Sequence, residues 1–416
     1  MAFWYRHTAT ALALTTLAGC SSLIEVEAPS RVRSDVVAQP SNAPLLVNSA
    51  GADLECALAH YVVATGLVGN ELEIGTTLIV MKEYDKRDFN PTSSSYTNTI
   101  CSGNVEGNVG LYKPLSTARF QGDNTVALLQ GWTDAEVPNR QKLIATAANY
   151  AGYSLVLLGE SMCSAAIDLG PELSPAQLFA EAETRFNTAL TAAQAANDAA
   201  LQNWARVGRA RAKLRQGDKA GAAADATPVP IDFVMNATYS TDSPRRENLI
   251  WVHGQRSRTY TVDPSYRGLS FGGMADPRVQ VTQGSGTASD GVTPLWIAAK
   301  YGAASSPIAL ATGVEARLIV AEAAGGQTAV DIINELHDRV GLPHFSSNDP
   351  AQIQQQIVEE RRRAFFLDGH HLGDLRQYGI PLTPAPGVPF KDGGGVYQDQ
   401  KCFPLPDVER LNNPNL

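Results

Sequence analysis

Residues 201–230 read LQNWARVGRARAKLRQGDKAGAAADATPVP. The pattern predicts a helix from Leu201 to Arg215, a turn at Gly217-Asp218, and a short second helix from Lys219 to Asp225. Pro228 ends it, because proline supplies no N–H and disfavours helix in the residue before it. Small residues such as Ala220 and Ala224 let a partner helix approach closely. Upstream, Ser174-Pro175 places a capping hydroxyl before a first-turn proline. The helix it opens carries Phe179, Ala182, Phe186, Ala189 and Leu190 on the way to Ala196. Before it, Arg140 to Leu158 presents Leu143, Ala147, Tyr150, Ala151, Ser154 and Leu158 as a wide stripe that must be buried, with Gly159 as the expected stop.

The same grammar recurs further out. Leu54, Ala57, Leu58, Tyr61, Val62 and Thr65 share one face of a helix from about Leu45 to Val68, ended by Gly69-Asn70, and a partner runs from about Leu115 to Leu129. Val314 to Ala324, Gly325-Gly326, then Thr328 to Val340 makes a later hairpin. Paired helices with a Gly-Asp turn and a closing proline resemble the tetratricopeptide repeat. The expected fold is mainly α, with about four such hairpins stacked as a solenoid and a large insertion of loops and short strands. The scaffold is assigned to residues 44–230 and 307–380 of a single domain, 44–416, and the insertion to 231–306. Residues 82–112, rich in Ser, Thr, Asn and Gly, read as a long loop. Asp349-Pro350 starts another helix, Gly369 breaks it, a short amphipathic turn ends at Gly379, and 381–416 is an irregular tail.

At the amino end, Arg6 and His7 precede an apolar run from Ala9 to Ala18 and then Leu17-Ala18-Gly19-Cys20. This is the pattern of a secretory leader, residues 1–19, whose cleavage leaves Cys20 as a lipid-bearing first residue. Residues 20–43 would then be a tether to the membrane. No later apolar run reaches the roughly 20 residues of a spanning helix. With 44% hydrophobic residues the chain suits a folded domain, and a formal charge of −9 argues against nucleic acid or electrostatic adhesion to anionic lipid.

Cys56, Cys101, Cys163 and Cys402 allow three pairings in an oxidising envelope. The shortest staple, Cys56 to Cys101, would close the polar stretch and is the pairing favoured here. No two of these cysteines lie two to four residues apart, so no zinc site is expected. His370-His371 with Asp374 lacks a third ligand at helical spacing, and Gly369 interrupts the helix before it. Asp374 and Arg376 are read as fixing the last helix, and Glu359-Glu360-Arg361-Arg362-Arg363 as a solvated face with a buried ion pair. Gly284-Ser285-Gly286 lacks the spacing of a nucleophile turn. No enzymatic activity, metal or cofactor is expected.

Several separated segments together resemble the SusD/RagB family of outer-membrane nutrient-binding lipoproteins. They are Cys20, Arg209-Ala210-Arg211 with Gly217-Asp218, Asp276-Pro277-Arg278, Glu315-Ala316-Arg317-Leu318 with Ala321-Glu322-Ala323, and Asn334-Glu335-Leu336 with Arg339 and Gly341. Glu360-Arg361-Arg362, Asp368-Gly369-His370, Asp374-Leu375-Arg376, Phe403-Pro404-Leu405-Pro406 and Asn413-Pro414-Asn415-Leu416 follow in the family's order. The resemblance implies a helical scaffold of tetratricopeptide-like pairs, a ligand that is an oligosaccharide or a peptide, and a partner, a TonB-dependent transporter of the SusC type. It places the protein on the outer membrane, lipid-anchored and facing outward. The alternative from the repeats alone is a scaffold for envelope assembly.

The family's ligand residues follow no fixed motif, so candidates come from chemistry. A sugar offers an apolar face to an aromatic ring and hydroxyls to polar groups. Both kinds crowd the insertion, and Trp251, Tyr260, Tyr266 and Trp296 are the expected platforms, with Arg256 and Arg258 as donors. Trp132 and Tyr96 come next.

Overall fold

The computed structural model describes residues 34–93, 96–97, 99–101 and 109–416. The leader, Cys20 and most of the tether lie outside them. The scaffold is α1 (Ala43–Val68), α2 (Ile79–Lys86), α3 (Tyr112–Gly131), α4 (Arg140–Ser161), α5 (Pro175–Ala195), α6 (Ala199–Arg215) and α7 (Lys219–Ala226). After the insertion come α8 (Gly313–Ala324), α9 (Gly326–Val340), α10 (Pro350–Ala364), α11 (His371–Gln377) and α12 (Asp407–Asn412). The pairs α1/α3, α4/α5, α6/α7 and α8/α9 pack in succession, and α10 closes against α8 and α9. The fold is thus mainly α and tetratricopeptide-like, as the periodicity predicts.

Local chemistry sets the turns. Ser174 and Gln177 form a reciprocal capping box, Oγ accepting from Gln177 N at 3.4 Å and Gln177 Oε1 from Ser174 N at 2.9 Å. Asp198 and Asp218 cap α6 and α7 by accepting from Leu201 N at 3.1 Å and Gly221 N at 2.9 Å. Helix α1 is apolar around most of its circumference and is buried accordingly.

Gly159 does not stop α4, which runs on to Ser161. A Cβ there would come within 2.6 Å of the Phe179 ring, so the glycine admits α5 rather than ending the helix. The same device seats Phe186, whose ring lies 2.7 Å from a Cβ built on Gly152 and 2.3 Å from one on Gly208.

Short antiparallel pairs lie within the insertion and tie it to residues 72–74 and 308–312 of the scaffold. The strands are β1 (Leu72–Ile74), β2 (Val234–Ala237), β3 (Tyr260–Val262), β4 (Ser270–Phe271), β5 (Met274–Ala275), β6 (Val281–Thr287), β7 (Pro294–Ala298) and β8 (Ile308–Thr312). They pair β1-β3, β2-β8, β4-β5 and β6-β7. Helical structure is nevertheless present there, as Leu249–Trp251 followed by a π-turn over Val252–Arg256. Residues 82–112 are not all loop either, since α2 extends to Lys86 and ends on Arg87 at φ 59°. A helical turn, Ser34–Val37, interrupts the expected tether. Cys56–Cys101 is formed as favoured, and Cys163–Cys402 is the second disulfide.

The charged run on α10 packs rather than solvates. Glu360 accepts from Arg278 and faces His337 Nε2 at 2.8 Å, while Arg363 donates to Asp276 at 3.1 Å. Asp374 binds Arg361 and Arg215, and burial, which alone would raise its pKa, is outweighed by these two guanidinium groups, holding it at about 2. His370 stacks on Phe365 at 4.2 Å. Arg376 Nη1 donates to the Glu160 and Met162 carbonyls at 2.8 and 3.1 Å, closing the end of α4.

Candidate ligand-binding site

Strand β7 is stitched to β3 by a side chain instead of a ladder. Thr261 Oγ1 accepts from Trp296 N at 2.7 Å and donates to the Pro294 carbonyl at 2.9 Å. That fixes Trp296, half-buried and, like Trp251 and Trp132, packed against the core, opposite Gln283 of β6. Arg267 is anchored by Nε and Nη2 to the Val262 carbonyl at 2.9 and 2.6 Å, which holds its guanidinium 4.9 Å over the Trp296 ring. Glu73 of β1 lies 3.6 Å from Arg267 Nη2 and 2.9 Å from Lys391 Nζ. The result is a shelf with one indole, two cations, one carboxylate and one amide. Burial raises the pKa of neighbouring Asp263 against the hydrogen bonds from Ser265. Such a set can stack an apolar face and exchange hydrogen bonds with hydroxyls.

The six expected residues do not converge. Trp296 alone reaches the shelf. Tyr260 and Tyr266 are core residues at 2% and 1% exposure, which corrects the expectation of open ring faces. Tyr260 Oη donates to the Ile250 carbonyl, and Tyr266 stacks on Phe366 at 4.9 Å beneath Arg362 at 4.4 Å. The physical reason is that an irregular region has few other large apolar groups with which to fill its interior. Trp251 begins the π-turn and packs on the core. Arg256 pairs with Glu247 through bonds of 2.7 and 2.6 Å. Arg258 is exposed, at φ 51°, and its carbonyl accepts from Ser289 N at 2.8 Å. Trp132 packs against the core and Tyr96 donates to the Pro404 carbonyl.

Sequence reasoning missed Arg267, Glu73, Lys391 and Gln283. Around Trp296 the run Pro294-Leu295-Trp296-Ile297-Ala298 is continuously apolar and shows no alternation, and nothing local marks the segments that meet it. Cys56, His60 and Cys101 bring ligand atoms within 4.8 Å of one another, but both sulfurs are spent in the disulfide. Among the described residues no helix is long and apolar enough to cross a membrane.

No family model matches the sequence, and no curated protein matches it. Solved structures do. A SusD superfamily protein from Bacteroides vulgatus ATCC 8482 is 15% identical at a TM-score of 0.65, over 90% of this chain and 97% of that one. A laminarin-binding SusD-like protein is 13% identical at 0.64, over 89% and 97%. Surface glycan-binding protein A from Bacteroides thetaiotaomicron, in complex with laminarihexaose, is 15% identical at 0.64, over 90% and 98%. This chain therefore shares the fold of these solved structures.

Proposed function

We propose that this protein is a non-catalytic, lipid-anchored receptor on the outer membrane that binds an oligosaccharide and passes it to a TonB-dependent transporter of the SusC type. The observation that carries the ligand class is the shelf, where a half-buried indole sits among Arg267, Glu73, Lys391 and Gln283. Two similarly folded proteins are described as binding laminarin or laminarihexaose, which supports the same reading. Cys20 after Leu17-Ala18-Gly19 supports the anchor. Shelf chemistry favours a sugar over catalysis, because Glu73 is held by two cations and the neighbouring Asp263 is buried and accepts from Ser265 N at 2.8 Å.

The test is calorimetric titration with laminarihexaose and a panel of other neutral hexasaccharides. Binding that Trp296→Ala abolishes, with unfolding midpoint retained, supports the shelf. Binding unchanged by that substitution overturns it. Gentle detergent extraction through a C-terminal tag tests the partner: a β-barrel in near-equal amount is expected, whereas cell-wall or barrel-assembly proteins in its place would favour the scaffold.

A further inference from the structure

The Cys56–Cys101 bridge has a buried imidazole beside it. Cys56 and His60 stand four apart on α1, so their side chains share one face of the helix. Cys101 reaches that face from the polar stretch and is the one of the three that is only half-buried. A nitrogen of His60 and the two sulfurs all lie within 4.8 Å of one another. Cysteine spacing alone does not reveal the group, because its local pair is one cysteine and one histidine.

A disulfide in a core asks only bulk of its neighbours, and an aliphatic side chain would serve. His60 is fully buried, and burying an imidazole costs free energy unless its nitrogens are hydrogen-bonded. Here the bonding is slight. Nδ1 accepts from Gly110 N at 3.4 Å, longer than an ordinary bond, and Nε2 has no partner among the described residues. No strong hydrogen bond fixes the tautomer of the ring, which leaves a lone pair free for a metal.

We propose that, once the bridge is reduced, Cys56, Cys101 and His60 form a zinc site, so that the staple exchanges a disulfide for a metal. Two thiolates and an imidazole are ligands that zinc prefers, and the fourth position falls to water entering beside Cys101. The bonds balance in two steps. A dithiol attacks one sulfur of the bridge, the S–S bond breaks, and the reductant leaves as a cyclic disulfide, having given two electrons and two protons to the protein sulfurs. Zn²⁺ then makes two Zn–S bonds and one Zn–N bond while two protons pass to water, with no change of oxidation state. Tetrahedral zinc at ~2.3 Å from each sulfur holds the sulfurs about 3.8 Å apart. Side-chain rotation about Cα atoms 6.0 Å apart supplies that opening.

Cobalt reports such a site, because tetrahedral Co²⁺ on thiolates gives intense visible bands and a sulfur-to-cobalt charge-transfer band. The full chain, reduced with dithiothreitol under argon, desalted and titrated with Co²⁺, should show both at one equivalent, and Zn²⁺ should displace them. The oxidised chain should show neither. Zn²⁺ should also raise the unfolding midpoint of the reduced chain, since a metal that binds the folded form stabilises it. Cys56→Ser with Cys101→Ser, which keeps the thiols of Cys163 and Cys402, should lose the charge-transfer band, and His60→Gln should weaken Zn²⁺ about tenfold, or ~1.4 kcal/mol. Four results would each overturn the proposal: no charge-transfer band in the reduced chain, a band that survives the cysteine substitutions, zinc affinity indifferent to His60, or helical circular dichroism that is lost on reduction and not restored by zinc. None of these outcomes bears on whether Trp296 binds a glycan.

Discussion

Arg361 and Asp374 meet through two hydrogen bonds, Nε to Oδ2 at 2.9 Å and Nη2 to Oδ1 at 2.8 Å, with both side chains buried. Arg215 shares the same carboxylate at 2.9 Å, so one anion joins α6, α10 and α11. Asp374→Ala would leave the buried Arg361 guanidinium without its hydrogen-bonded counter-charge, beside Arg215, which keeps Glu160 at 2.6 Å. We expect a loss of about 3–5 kcal/mol in urea unfolding. A loss under about 1 kcal/mol would mean that the pair is dispensable packing.

Glu71 carries a pH dependence of known sign. Burial pushes its carboxyl up to about 8, opposed by the hydrogen bond from Leu367 N at 2.8 Å. In the unfolded chain the same group titrates near ~4.3. Between about pH 4.3 and pH 8 the folded protein keeps a proton that the unfolded chain has lost, so this group makes stability fall as pH rises. The slope approaches ~1.4 kcal/mol per unit. Glu71→Gln should flatten the profile relative to wild type between about pH 5 and pH 8. Parallel profiles would show that Glu71 ionises normally in the fold.

The clasp Cys163–Cys402 spans a sequence separation of 239 and pins the tail to the end of α4. Chain-entropy arguments give about 5 kcal/mol for a loop this long. The double variant Cys163→Ser, Cys402→Ser should unfold at markedly lower denaturant, while Cys56→Ser, Cys101→Ser loses less. The reverse ranking would assign the larger constraint to the shorter loop.

Gly159→Ala sets two effects in opposition. Alanine gains about 1 kcal/mol of helix propensity over glycine, while its Cβ would meet the Phe179 ring at 2.6 Å. Overpacking of this kind costs about 1–3 kcal/mol, so net destabilisation is expected. Adding Phe179→Leu should recover part of it. A Gly159→Ala protein more stable than wild type would mean that α5 shifts freely.

What sequence could and could not reveal follows from the range of each interaction. Helical pairs were readable because period, caps and turns are local, as at Ser174-Pro175 and Gly217-Asp218. Gly159 was misread because a glycine that ends a helix and one that admits a neighbouring ring are identical in sequence, and the ring here belongs to Phe179 of the next helix. Cys56–Cys101 was reachable by loop length, whereas Cys163–Cys402 joins a helix end to the tail. On the shelf, Trp296 was chosen for its ring, but Arg267, Glu73 and Lys391 arrive from three distant segments. Tyr260 and Tyr266 share the residue type of a displayed ring and differ from one only in what surrounds them.

Helix α1 is the first long element to leave the ribosome and the most thoroughly enclosed. Its walls include α3 and α4 and, much later in the chain, the turn at Leu249–Trp251 and α11. An all-round apolar helix cannot stand alone in water, so it waits for partners still unmade while most of the chain is synthesised. The order of manufacture and the order of assembly are therefore opposed. On the proposed route across a membrane as an open strand, that delay would keep the chain export-competent until its final helices are complete.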